Sequence, residues 1–99
     1  MTSGNSARER EKMLSYSILF VLKAHGVIEV ARGTDKSMME KTYDKYSDGD
    51  IPARVCGDMT VDIAQEDILG ISFYEIETAE DGRIIGKGLV KPRRIYVCY

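Results

Sequence analysis

The sequence predicts an α+β fold: a mostly antiparallel sheet of five to seven short strands, open or curled toward a barrel, with one or two short helices. Three observations carry this. Apolar residues recur at every second position in most apolar segments, the period of a strand with one buried face. One segment instead places Met39, Tyr43 and Tyr46 at i, i+4 and i+7, the spacing of a helix face. Tight-turn signals at His25-Gly26 and Asp81-Gly82 join neighbouring segments as antiparallel hairpins.

Residues 1–12 are small, polar and charged without apolar periodicity, and read as a disordered tail before a single domain over 13–99. Ser15 to Lys23 is the first strand, and its unbroken run Ile18 to Leu22 marks a central position. After the Ala24-His25-Gly26 turn, Val27 to Arg32 returns beside it. Ser37 and Glu40 have capping-box spacing at the start of a helix that runs to about Tyr46, with Thr34 or Asp35 as the other caps. Gly49 and Pro52 end that helix.

Ala53 to Cys56 is a short strand, and Met59 to Ile63 alternates as a half-exposed one. Gln65-Glu66-Asp67 favours a turn or one helical turn. Ile71 to Glu77 alternates around Phe73 and Tyr74, and Arg83 to Val90 returns from the Asp81-Gly82 turn. Gly86 and Gly88 predict a bulge or a close backbone approach in that strand. Pro92 interrupts, and Arg93 to Tyr99 is a last strand with Ile95, Val97 and Tyr99 on one face.

The length of 99 residues suits one core, with no metal or disulfide needed to hold it. The longest apolar run, five residues, is far below the roughly 20 that cross a bilayer. No secretory signal is visible, so the expected compartment is the cytoplasm, with no membrane association. Cys56 and Cys98 form no CxxC and are expected as free thiols.

The net charge of −2 conceals a polarity. Eight acids and no Lys or Arg lie between Gly57 and Gly82, while Arg83 to Tyr99 holds five bases and no acid. Folding at the Asp81-Gly82 turn is expected to bring Glu75 and Glu77 against Arg83 and Lys87, so that part of the polarity is internal pairing. The remainder, Asp58, Asp62, Glu66 and Asp67 on one side and Lys91, Arg93 and Arg94 on the other, with Tyr96 and Tyr99, is the candidate partner-binding set.

Other motifs are weaker. Asp44 to Asp50 departs from an EF-hand loop, with Tyr46 at its third position and Val55 where a bidentate Glu closes the site. Gly82 to Gly88 lacks the spacing of a phosphate loop. His25, the only histidine, has no ligand partners of fixed spacing; with Cys56 or Asp58 it is the one enzymatic alternative. No catalytic constellation, cofactor motif or metal motif is present in the sequence.

The functional expectation is therefore a small non-enzymatic regulatory or accessory protein that binds another protein as an inhibitor, adaptor or small subunit. A homodimer through an edge strand is one form of this. The alternative is a nucleic-acid-binding module on the basic C-terminal strands, where cations and rings meet phosphates and bases.

Overall fold

The computed structural model describes residues 13–56 and 60–96. The expected tail over 1–12, residues Asp58 and Met59, the stretch from Val97 to Tyr99 and the side chain of Cys56 lie outside that description.

Strands β1 (Met13–Leu22) and β2 (Gly26–Gly33) form the first hairpin, followed by helix α1 (Lys36–Ser47). A small hairpin, β3 (Arg54–Cys56) and β4 (Thr60–Asp62), comes next, then one 3-10 turn, Gln65–Asp67. Strand β5 (Ile68–Thr78) follows, with β6 (Ile84–Leu89) and β7 (Arg94–Ile95) after it. The main sheet runs β2-β1-β5-β6, all antiparallel, and β7 pairs with the lower half of the β5 edge that β6 occupies above. The sheet is open rather than closed into a barrel.

The β1–β2 and β5–β6 turns rest on glycine. Gly26 at φ 69° and Gly82 at φ 90° hold left-handed backbone that a Cβ would strain. The helix starts on Asp35, not on the Ser37 capping box: Asp35 is extended (φ −92°, ψ 105°) and its carboxylate accepts from the Met38 N–H at 3.1 Å. Glu40, the other half of the expected box, instead faces Lys91 Nζ at 3.9 Å. Met39 and Tyr43 are buried and Tyr46 is half-buried, as the helical spacing predicts.

In an antiparallel ladder, residues directly opposite share a face and neighbours along a strand alternate. Tyr16, Ile18, Phe20 and Leu22 of β1 therefore share a face with Glu75, Phe73, Ile71 and Ile68 of β5. α1 and the β3–β4 hairpin cover that face. Tyr43 stacks on Phe73 (centroids 5.4 Å apart), Tyr46 meets Phe20 edge-on at 5.6 Å, and Val61 and Ile63 join the same core. Three bulges trim the register: Val30 in β2, Leu69 in β5 and Ile85 in β6 each lack an opposite residue. The bulge at Ile85 sits beside Gly86, where the glycine pattern predicts one.

Candidate functional site

The same registers define the second face. Met13, Ser15, Ser17, Leu19 and Val21 of β1 lie with Thr78, Ile76, Tyr74, Ser72 and Gly70 of β5. The face continues through Val27, Glu29 and Arg32 of β2, through Ile84, Lys87 and Leu89 of β6, and through Ile95 of β7. The core cluster draws its β1 and β5 members from the other face, while Ser17, Ser72 and Ile76 on this one are buried among their neighbours.

Eight large apolar side chains among the described residues are exposed: Met13, Leu14, Val27, Met38, Ile84, Ile85, Leu89 and Ile95. Five of these (Met13, Val27, Ile84, Leu89 and Ile95) are on this one face, each 46–76% exposed. Single exposed apolar residues are ordinary, but their concentration on one uncovered sheet face is a feature to explain. At its centre the small residues Ser72 and Gly70 leave shallow depressions. One, of about 190 Å³, is walled by Leu19, Val21, Val27, Tyr74 and Arg93. The other, of about 230 Å³, reaches Ile95.

Two cations crown this face at Tyr74. Lys87 Nζ lies 4.4 Å from the ring centroid, and the Arg93 guanidinium carbon lies 5.9 Å from it. Arg93 Nη2 also donates to the Tyr74 hydroxyl at 2.6 Å. Neither cation has a carboxylate within salt-bridge distance among the described residues. At the β2 edge the charges close on themselves: Glu29 accepts from Arg32 Nε at 2.8 Å and from the Ser17 hydroxyl at 2.5 Å.

The expected pairing of Glu75 and Glu77 with Arg83 and Lys87 is not what forms. Glu75 lies opposite Gly88 and Glu77 opposite Gly86, because the Ile85 bulge shifts the register and Lys87 alternates to the other face. A Cβ on Gly86 would come within 3.3 Å of the Glu77 carboxylate, so glycine lets that side chain lie across β6. Arg83 pairs instead with Asp81 in its own turn, at 3.9 Å.

The described members of the sequence-predicted set do not assemble into one surface. Asp62 is engaged by Arg54 at 2.9 Å across the β3–β4 pair. Glu66 is exposed and Asp67 half-buried on the 3-10 turn. Lys91 is drawn to the helix, 3.2 Å from Asp44 and 3.9 Å from Glu40, and sits 5.8 Å from the Tyr43 ring centroid. Arg94 lies opposite Ile71 on the helix side, exposed, while Arg93 is at Tyr74. Tyr96 is half-buried against the core, and its hydroxyl donates to the Ser47 carbonyl at 3.4 Å. Asp58 and Tyr99 lie outside the described residues, as does Cys98. His25 is exposed on the β1–β2 turn. Among the described members of the predicted set, only Arg93 reaches this second face. Leu19, Val21, Val27, Leu89 and Ile95 of this face are not singled out by the sequence, because alternation marks two faces without saying which one a helix covers.

Two phenols are perturbed. Tyr16 is buried, and burial first and the Glu75 carboxylate second push its hydroxyl above the usual tyrosine range. Tyr43 is raised chiefly by burial; its hydroxyl donates to the Pro92 carbonyl at 3.2 Å. Among the described residues no group of three or more His, Cys, Asp or Glu is placed to hold a metal ion. No helix among them is long and apolar enough to cross a membrane. No family model, curated protein or solved structure matches this chain.

Proposed function

We propose that this chain is a small protein-binding module whose docking surface is the uncovered face of its main sheet. The observation that supports this is the gathering of Val27, Leu89, Ile95, Ile84 and Met13 on that face while α1 covers the other. A partner that suits it carries apolar side chains for the depressions around Ser72 and carboxylates for Lys87 and Arg93. Apolar contact gives the affinity, and the paired cations give orientation.

The nucleic-acid alternative has less support. Stacking needs free ring faces, and the sheet-face aromatic Tyr74 is already covered by Lys87. Tyr16, Phe20, Tyr43 and Phe73 are buried on the helix side.

The test is recovery of a partner by affinity purification from the native host with the wild-type chain, repeated with Val21→Glu and Leu89→Glu. The expected result is a stoichiometric protein that both variants lose while keeping the wild-type circular dichroism. A chain that recovers no protein, or whose partner survives both charges, sinks the proposal. Salt-sensitive binding of single-stranded RNA abolished by Arg93→Glu would favour the alternative.

A further inference from the structure

A separate cavity lies on the helix side of the molecule, where the end of α1 meets the 3-10 turn. Its volume is about 220 Å³. Its lining combines the apolar Ile51, Ile68 and Ile71, the rings of Tyr46 and Tyr96, and the carboxylates of Asp48 and Glu66, with Ser47, Gly49 and Gln65 completing it. No Lys, Arg or His lines it.

Three features of this lining point to the same ligand chemistry. Neither Asp48 nor Glu66 has an ion-pair partner among the described residues, whereas Asp44, Asp50, Asp62 and Asp81 each have one. The carboxyl end of a helix adds partial negative charge on the same side. The two tyrosine rings attract cations and accept apolar carbon equally well. The size bounds the occupant: about 220 Å³ holds roughly seven waters at about 30 Å³ each. Pockets for drug-sized ligands are larger, about 300–1,000 Å³.

We infer that this cavity is a binding site for a small organic ammonium group on an apolar stem. The stem lies on Ile51, Ile68 and Ile71 between the tyrosines, and the ammonium faces Asp48 and Glu66. That chemistry occurs in free aralkylamines and in lysine side chains of other proteins. The site is independent of the sheet face, so either inference stands if the other fails.

The experiment is a titration of the intact chain, following the methyl signals of Ile51, Ile68 and Ile71, with phenethylammonium as the probe. Its neutral isostere 2-phenylethanol and N-acetyl-lysine methylamide form the other arms. Saturable shifts are expected with either ammonium. Relative to phenethylammonium, the alcohol should bind about three- to thirtyfold more weakly, the span set by two solvent-facing carboxylates. The double variant Asp48→Asn with Glu66→Gln should lose the same factor for the ammonium and leave the alcohol unchanged. Tighter binding of phenethylammonium assigns the site to free amines, and tighter binding of the lysine amide assigns it to a protein side chain. Equal binding of the alcohol, or no saturable shift with either ammonium, overturns the inference.

Discussion

Single side chains here take their properties from which side of the sheet they occupy. Tyr16 and Tyr43 sit on the covered face, where burial raises both phenols. The unfolded chain titrates its tyrosines near the ordinary value of about 10. A folded-state value above that means the native state holds the proton longer, so stability is full below about pH 10 and falls as pH rises through the raised values. Denaturant midpoints should therefore be flat below that point and decline above it. Tyr16→Phe and Tyr43→Phe should each reduce the slope of the decline. An unchanged slope in both variants would show that neither phenol is shifted. Asp81 also acts locally: its carboxylate accepts from the Arg83 N–H at 3.0 Å within the turn that Gly82 permits.

At the scale of elements, ends and junctions are set by a few polar contacts and a few missing Cβ atoms. Asp35 caps α1, and Asp35→Ala should lower unfolding free energy by about 1 kcal/mol in denaturant melts. Ser37→Ala should cost less, since the capping bond belongs to Asp35. Gly70 matters for a different reason: a Cβ there would lie 2.9 Å from the Arg94 carbonyl oxygen. Gly70→Ala should therefore push β7 from β5 and speed amide hydrogen exchange at Tyr96, whose N–H donates to the Leu69 carbonyl at 2.8 Å. The amides of Ser17 and Tyr74, which pair across β1 and β5, should keep their protection. Equal loss at all three positions would mean that Gly70 supports the whole sheet rather than this junction.

For the whole molecule, the layering places the β1 and β5 members of the core cluster on one face of the sheet. Phe73 of β5 is fully buried beneath Tyr43 of α1, and Phe73→Ala should cost about 3–5 kcal/mol. Val27→Thr and Leu89→Thr on the uncovered face should each stay within about 0.5 kcal/mol. A cost at Leu89 comparable with that at Phe73 would show that the second face is packed in solution.

The sequence by itself determined the class of fold and most of its punctuation. Period-two alternation, the helical spacing of Met39, Tyr43 and Tyr46, and the glycine turns at Gly26 and Gly82 are local properties, and backbone sterics read them directly. Tertiary structure decided three things that local rules leave open. It chose the face that α1 covers, which made the apolar side chains of the opposite face a surface. It set the register of β6, where the Ile85 bulge placed glycines opposite Glu75 and Glu77 and sent Lys87 to Tyr74. It also dispersed the predicted charged set, drawing Lys91 to the helix and Asp62 to Arg54. Charge counted along a chain has no direction in space; a one-residue bulge or one packed helix assigns it, and both depend on contacts between segments far apart in sequence.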